Sequence, residues 1–503
     1  MITNLIRILV MALLGLMMVP YYIDEFGMAI YGILPLATSL TTYVLIASDS
    51  LASSFSRYMI IAIQSGDDEK ANITYSSAII GMAKVIMKVI PIVILISVFA
   101  PYIFQIGPAA ILDVQLLFAM VLLSSLVISF TSCLHSVFYS KNNLYTLYYI
   151  RSVHAVLQAG LVIIFFFAFG PNLVLVGASY LISSMIYLVW TWITVRFICP
   201  SLHVSRKMYD KKLLSEMTGL GFWAMVSTIG ALMFIQTSLI LVNLYMGAEI
   251  ESEFSIVVNI ISMLNTTCMA LTAAGEPLIY KYYNEGNREM LLNTLSLFTK
   301  FVGLIIVFPI AYICIFTPQV LDVWIGHEYD FIVPMSRVMV PANIAVCSMH
   351  ILNCLYLVQS KLKQVAVMTC ILGLLNVILA CTLLAVMQDP IGASIAWAIA
   401  ILALNAVFMP IFAAKIMGFR ILTFIKPIVI CYAVFFLLFA AGEVINRYWE
   451  MPSSFFWVVS TVMLGFIVYS ILIFFITLNR HEKGIVLTYL PQSVQNVVLK
   501  LLR

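Results

Sequence analysis

The sequence predicts an all-α polytopic membrane protein with about 14 transmembrane helices, arranged as two parallel six-helix lobes that face each other as a clamp, plus two extra C-terminal helices. Three observations predict this fold class. Of the 503 residues, 63% are hydrophobic and only 10% are charged, whereas a soluble domain carries about 25% charged residues. Apolar runs of membrane-spanning length follow one another along the chain, and short motifs return at a nearly constant offset.

A helix needs about 20 apolar residues to cross the hydrocarbon core, and the polar breaks of the sequence separate the candidate spans. The N-terminal apolar run is too long for a secretory signal and lacks a small-residue cleavage site, so we expect it to be the first spanning helix. The predicted spans are 4–22, 29–62, 74–100, 112–138, 147–169, 173–198, 213–246, 253–283, 290–317, 332–358, 364–387, 391–414, 422–441 and 454–478.

The basic residues predict the orientation of these spans. If the N-terminus is cytoplasmic, every Lys and Arg except Arg337 and Arg447 falls on the cytoplasmic side or in the cytoplasmic half of a span. We therefore expect both termini to be cytoplasmic. The apolar residues of segment 484–503 recur at helical spacing, which favours an amphipathic helix on the inner membrane face over an ordinary solvated tail.

An internal repeat predicts the domain organisation. Gly27, Gly66 and Glu69 recur as Gly247, Gly286 and Glu289, each 220 positions later. Because each repeat holds an even number of spans, both enter the membrane from the same side and form parallel repeats. The predicted domains are an N-terminal lobe (1–205, helices 1–6), a C-terminal lobe (206–418, helices 7–12), helices 13–14 (419–480) and a cytoplasmic amphipathic tail (481–503).

Charged residues at membrane depth are the candidate functional residues, because burying a charge there is costly. The second span is too long for the hydrocarbon core, and its cytoplasmic half carries Asp49 and Arg57 on one polar stripe. In the second repeat, Glu276 stands about where the first repeat has Arg57. The remaining basic candidates, placed within spans 1, 3, 5 and 9, are Arg7, Lys84, Lys88, Arg151 and Lys300.

Each basic residue allows two interpretations. It can line a cationic cavity between the lobes that attracts a phosphorylated anion, or it can extend along its helix so that the charge reaches the headgroups. The first interpretation is favoured for Arg57, Lys84 and Lys88 and the second for Arg7 and Arg151, while Lys300 is evenly balanced. Asp49 and Glu276 are candidates for ion coupling or for salt bridges, since either acid can pair with a base or bind a proton or sodium ion.

The sequence argues against several other functions. The net charge of +4 does not suggest nucleic acid as a partner. The nine cysteines show no metal-ligand spacing, and neither do the histidines, so we expect no metal and no other cofactor beyond a coupling proton or sodium ion. Because nucleophile-elbow and phosphate-loop motifs are missing and the predicted outer loops are short, we expect no enzyme activity. A non-transporting scaffold would leave the intramembrane charges without a role.

The opening stretch resembles the oligosaccharide-lipid flippases, the O-antigen and capsule exporters of the multidrug/oligosaccharidyl-lipid/polysaccharide superfamily. The resemblance covers the whole chain, and its motifs are Gly27, Tyr31–Gly32, Asp49, Arg57 and the inner loop Gly66–Glu69. It implies a V-shaped clamp of two bundles around a central cationic cavity, alternating access, a groove for the polyprenyl tail on helices 13 and 14, and a bacterial inner (plasma) membrane location. Unlike many drug exporters of the superfamily, the first span carries no acid at membrane depth.

The resemblance therefore implies export of a polyprenyl-diphosphate-linked oligosaccharide, a repeat unit of O-antigen, capsule or exopolysaccharide, from the cytoplasmic to the outer leaflet. The implied partners are this lipid-linked substrate, membrane lipid, and a glycan polymerase or other polysaccharide-assembly proteins, with the chain working as a monomer. An ion-coupled antiporter for drugs or small molecules on the same fold is the alternative.

Overall fold

The computed structural model describes residues 2–64, 67–273, 275–326, 331–359, 361–448 and 452–477, and these form α-helices joined by short turns. The first part of the chain contains α1 (Ile2–Phe26), α2 (Met28–Tyr31), α3 (Ile33–Gln64), α4 (Asp68–Ile103), α5 (Ile111–Ser140), α6 (Leu144–Phe169) and α7 (Leu173–Ile198). A linker with a 3₁₀ turn at Arg206–Met208 then leads to α8 (Lys211–Met246).

The second part begins with α8 and continues to the end of the described chain. Its further helices are α9 (Ala248–Thr272), α10 (Glu276–Asn284), α11 (Arg288–Trp324), α12 (Ile332–Met349), α13 (Leu352–Val358), α14 (Leu362–Met387), α15 (Ile391–Leu402), α16 (Met409–Met417), α17 (Leu422–Tyr448) and α18 (Phe455–Ile476). A π-helical turn, Ala403–Phe408, joins α15 to α16.

The helices coincide with the predicted spans. In the described part of the chain, 12 helices are long and apolar enough to cross a membrane, and they match predicted spans three to fourteen. Helices α1 and α3 occupy the first two predicted spans. The prediction of an all-α, multi-span membrane protein is confirmed. The predicted tail, 481–503, lies outside the described residues.

Proline and glycine account for two interruptions that the predicted spans did not contain. The span predicted at 253–283 is divided between α9 and α10, where Gly275 precedes the new helix and Pro277 lies in its first turn. Helix α11 is kinked at Phe316, which has φ −106° and ψ 22°. Pro318 follows two residues later, and it lacks an N–H and collides with the carbonyl four residues before it, so the helix bends.

Two equivalent helix starts lie at matching positions of the sequence repeat. The side chain of Asp67 accepts a hydrogen bond from Lys70 N at 3.0 Å at the start of α4, and that of Asn287 accepts one from Met290 N at 3.1 Å at the start of α11. Because these bonds satisfy backbone donors that a helix leaves unpaired, each of these polar loops ends in a capped helix.

The linker between α7 and α8 is hydrogen-bonded along α4. The buried Asn72 donates to Ser201 O at 3.1 Å and accepts from His203 N at 2.7 Å. Further along α4, Ser77 Oγ accepts from Asp210 N at 2.9 Å. The linker therefore lies on α4 through side chains that would otherwise be buried without partners.

Contacts within the chain divide it into two compact units. Unit 1 comprises Met1–Thr266, Glu328–Met339 and Gln359–Leu404, and unit 2 comprises Thr267–His327, Val340–Val358 and Asn405–Arg503. These units are discontinuous in sequence and do not share the boundaries of the predicted lobes, which stay a prediction. In unit 1, α5 packs against α3, α4 and α7.

Helices α8 and α14 of unit 1 approach each other at two glycines. A Cβ at Gly230 would lie 2.7 Å from Cys370 N, and one at Gly373 would lie 2.7 Å from Gly230 O. Close to this crossing, Asn376 Nδ2 donates to Met233 O at 2.8 Å. Small residues allow this backbone contact, and the amide adds a bond between helices, as in other membrane helix pairs.

In unit 2, the buried Lys300 joins α11 to the end of α18. Its ammonium donates to Thr477 O at 2.7 Å, directly after the last residue of α18. A cation at a helix C-terminus is favourable because the last carbonyls lack partners and carry partial negative charge. Tyr312 OH and Thr461 Oγ1, 2.8 Å apart, link the same two helices.

We expect Gly230→Ala to destabilise the protein, because its added methyl group would collide with the backbone of α14. Such overpacking reduces the free energy of unfolding by about 1–3 kcal/mol. The measurement is thermal unfolding of the purified protein in detergent. Gly160→Ala is the matched control because no atom lies within 4 Å of its added Cβ. Equal melting temperatures for the two variants would contradict the close approach of α8 and α14.

Candidate functional site

A cavity of about 500 Å³ lies among α1, α5, α6 and α7 of unit 1. Its lining residues recur at helical spacing on one face of α1 and one face of α6. They are Arg7, Met11, Leu14, Gly15, Met18, Tyr22, Ile128, Arg151, His154, Ala155, Gln158, Ala159, Tyr180 and Tyr187. All belong to segment 1–205, so the cavity lies among the helices of the predicted N-terminal lobe.

Two guanidinium groups give the cavity its charge. Arg7 and Arg151 are both half-buried and line it from α1 and α6. The Arg7 guanidinium carbon lies 5.7 Å from the centroid of the Tyr148 ring, a cation–π distance. The positive charge of Arg151 repels that of Arg7. The described lining contains no acidic side chain, so the two cations create a positive potential that an anion would relieve.

A hydrogen-bonded chain fixes Arg151. Its Nη2 lies 3.1 Å from His135 Nδ1, and His135 Nε2 lies 2.7 Å from Tyr187 OH. A guanidinium can only donate, so His135 Nδ1 accepts and Nε2 carries the proton that is donated to Tyr187. This assignment makes His135 a neutral ring whose role is to hold the cation of Arg151 in place.

The remaining polar groups and the aromatic rings shape the walls. The His154 and Tyr187 rings have centroids 4.7 Å apart. His154 Nε2 is buried and has no hydrogen-bond partner among the described residues. The Tyr180 hydroxyl is hydrogen-bonded to the Gln158 side chain. The cavity thus combines two guanidinium groups, a buried imidazole nitrogen without a described partner, and flat ring faces. This set is suited to an anion that also carries flat or cyclic groups.

Of the predicted residues whose side chains the structure describes, Arg7 and Arg151 line this cavity. Lys84 is exposed on α4, and its ammonium lies 3.8 Å from the centroid of the Tyr209 ring in the linker. Lys88, one turn further along α4, is also exposed. Asp49 and Arg57 lie on α3, but their side chains are outside what the structure describes.

The two candidates of the second repeat lie in unit 2. Lys300 is 6% exposed and bound to the end of α18, as described above, which gives its charge a structural partner. Glu276 is half-buried at the start of α10, hydrogen-bonded to Cys354 and close enough to His350 for an electrostatic interaction. Among the residues that the structure describes, the predicted candidates therefore lie in several locations and do not form one site.

His135, His154, Gln158 and Tyr187 are the residues of this site that sequence analysis did not select. The spacing of the histidines in the sequence argues against a metal site and says nothing about other roles. A signal was nevertheless present in α6, where Arg151, His154 and Gln158 follow at intervals of three and four residues in an otherwise apolar helix. Such a stripe predicts one polar helix face toward a cavity or partner.

We expect His135→Phe to destabilise the protein by about 1–3 kcal/mol, because buried polar groups of Arg151 and Tyr187 would lose a partner. A double-mutant cycle with Tyr187→Phe, measured by thermal unfolding, isolates this interaction. The double variant should be more stable than the sum of the two single effects predicts, by about 0.5–3 kcal/mol. Strictly additive effects would contradict the hydrogen-bonded chain.

The chain is similar in sequence to a known membrane protein. No protein-family model matches the chain. A curated relative, the uncharacterized membrane protein EpsK of Bacillus subtilis (strain 168), is 24% identical over 496 residues, which cover 96% of each chain.

Solved structures are similar in fold at low sequence identity. The lipid II flippase MurJ in an inward closed conformation superposes with a TM-score of 0.69 at 13% identity, covering 94% of this chain and 98% of that one. A multidrug resistance MATE family transporter of the MOP superfamily, inward-facing, superposes with a TM-score of 0.67 at 14% identity, covering 83% and 98%. The chain therefore shares the fold of MurJ and of a MATE transporter of the MOP superfamily, and the resemblance predicted from its motifs is confirmed at the level of the fold.

Proposed function

We propose that this membrane protein is a flippase that moves a polyprenyl-diphosphate-linked oligosaccharide from the cytoplasmic to the outer leaflet. The observation that carries the proposal is the joint placement of Arg7 and Arg151 around an acid-free cavity with tyrosine walls. The fold shared with the lipid II flippase MurJ is consistent with it.

The charge of the cavity favours an anionic cargo. Guanidinium groups bind phosphate oxygens through paired hydrogen bonds, and a half-buried site strengthens these bonds relative to water. Tyrosine faces such as those of Tyr180 and Tyr187 offer flat surfaces and hydroxyls for sugar rings. A diphosphate joined to sugars contains both chemical features that the cavity complements.

The other predicted residues have separate roles in this proposal. Arg57, Lys84 and Lys88 would attract the headgroup from the cytoplasmic side before it reaches Arg7 and Arg151. Asp49 and Glu276 stay candidates for coupling to protons or sodium ions. Lys300 would act through its contact with α18, which together with α17 would guide the polyprenyl tail. Both helices carry large exposed apolar side chains that fit an isoprenoid, including Phe436, Leu437, Phe456 and Leu464.

The cellular setting belongs to the same proposal. We place the protein in the bacterial inner membrane with both termini in the cytoplasm, because the basic residues cluster on that side of the predicted spans. It would act as a monomer beside a glycan polymerase and other polysaccharide-assembly proteins, which would consume the translocated repeat unit.

An ion-coupled multidrug antiporter is the alternative. The structural similarity to MATE transporters, including the multidrug transporter DinF-BH at a TM-score of 0.60, favours it. The aromatic and methionine lining of the cavity would also contact a flat organic molecule. Two guanidinium groups without a compensating acid oppose a cationic drug, so the flippase is the better supported proposal.

We expect Arg7→Ala and Arg151→Ala each to reduce glycolipid flipping strongly, because each removes a charge-assisted bond to the diphosphate. A loss of about 1.5–3 kcal/mol corresponds to roughly 10- to 150-fold weaker binding. The measurement is translocation of a labelled polyprenyl-diphosphate oligosaccharide in proteoliposomes. Arg196→Ala, an exposed arginine on α7, is the control that should retain activity. Full activity of both cavity variants would refute the assigned site.

We expect the double variant Lys84→Ala/Lys88→Ala to abolish surface glycan while the protein still reaches the membrane, because both ammonium groups would attract the headgroup. Immunodetection of surface glycan and membrane fractionation check this result. Lys281→Ala, which removes an exposed lysine 3.9 Å from Glu285, is the matched control. Normal surface glycan in the double variant would refute the role assigned to these two lysines, and drug efflux that survives it would support the antiporter.

A further inference from the structure

Glu251, in the first turn of α9, is buried in an unusual way. Its exposed fraction is 0%, and neither carboxyl oxygen has a hydrogen-bond partner among the described residues. An ionised carboxylate in such a place loses its hydration and gains no hydrogen bond or ion pair from the described residues, and the favourable field of the α9 N-terminus is small beside that loss. The carboxyl is therefore compatible with this position only in its neutral, protonated form.

The burial is produced by contact with the Tyr31–Gly32 turn. A Cβ at Gly32 would collide with Ala248 O, Ser252 Oγ and Glu251 Oε2, so only glycine allows the two segments to meet. Ser252 Oγ also donates to Met28 O at 2.6 Å, which joins α9 to α2. The motif glycine of the opening stretch is thus the residue that encloses the carboxyl.

No described cation balances Glu251. Tyr31 on α2 is the titratable side chain that faces it, and the Tyr31 hydroxyl bonds to Ser255 and Asn259 on α9. On its own helix, Glu249 is exposed, and Glu253 accepts a hydrogen bond from Phe331 N at 2.9 Å. These neighbours are neutral or acidic, so they add no stabilisation to a negative charge on Glu251.

We propose that Glu251 is a proton-binding site, and that the contact between the Tyr31–Gly32 turn and the start of α9 closes only when Glu251 carries a proton. When the contact opens, water reaches the carboxyl and the proton can leave, and when it closes, a proton must be bound. In the predicted topology this contact lies at the outer side of the membrane, so the proton would come from outside the cell. The inference concerns a site separate from the basic cavity and does not depend on which substrate is carried.

The test is hydrogen–deuterium exchange of the purified wild-type protein, followed in peptides that cover residues 24–34 and 246–256. After correction for the intrinsic exchange rate, we expect both peptides to be protected at about pH 6 and to exchange faster at about pH 9, by roughly tenfold for each pH unit once the carboxyl titrates. Glu251→Gln keeps the size of the side chain without its charge, and should stay protected at both pH values.

Two further variants make the result specific. Glu249→Gln, two positions away and exposed, should keep the pH dependence of the wild type. Gly32→Ala should raise exchange in both peptides at either pH, because its methyl group would separate the two segments. It tests the contact even if Glu251→Gln folds poorly.

Three outcomes would overturn the proposal. Exchange in the wild type that is equal at both pH values would show that closure needs no proton. A Glu251→Gln variant that retains the pH dependence would assign it to another group. Protection restored at high pH by sodium ions, and not by potassium ions, would identify a metal cation as the partner of the carboxylate. None of these results depends on glycolipid flipping, so they leave the proposed function untouched.

Discussion

Hydrocarbon offers no hydrogen bonds, so each polar side chain that enters the membrane-spanning helices needs a partner within the protein. Much of this structure follows from that constraint. Arg151 is bonded to His135, and His135 to Tyr187. Lys300 finds the unpaired carbonyl that follows α18. Asn376 reaches the backbone of α8. Each partner is on a different helix, so satisfying the polar group also fixes how two helices pack.

The same constraint separates polar residues that have a structural partner from those that are candidates for function. Lys300 is buried and bonded to a helix end, an arrangement that stabilises packing in unit 2. Arg7 and Arg151 are only half-buried, and both border open volume. His154 and Glu251 present buried polar atoms that the described chain leaves unbonded. At Arg7, Arg151, His154 and Glu251, a ligand or a proton would supply the missing interaction.

Sequence reasoning was most successful where hydropathy alone decides. The positions of the spanning helices follow from the apolar runs, because a helix needs about 20 mostly apolar residues to cross the hydrocarbon core. Interruptions such as the kink at Phe316 depend on Pro318 inside an apolar run, which a count of hydrophobic residues does not register. Gly32 was selected as part of a motif, but its contact with α9 joins residues more than 200 positions apart, and no local pattern contains that information.

The candidate site was predictable only in part for the same reason. Arg7 and Arg151 were recognised by their charge, yet extension toward the headgroups was the favoured interpretation for both. Which interpretation holds depends on the neighbouring helices, since the side chain follows whichever polar surface its helix faces. His135 became relevant only because α5 and α6 pack side by side and place its ring next to Arg151.

The linker that joins the two halves of the sequence is bound to α4 through Asn72, Ser76 and Ser77. Because these hydrogen bonds hold the linker along α4, it does not behave as a flexible connection. Any displacement of the start of α8 must carry the first turns of α4 with it or break several buried bonds at once. Lengthening the linker with glycine would therefore leave this coupling intact, whereas removing the three polar side chains of α4 would release it.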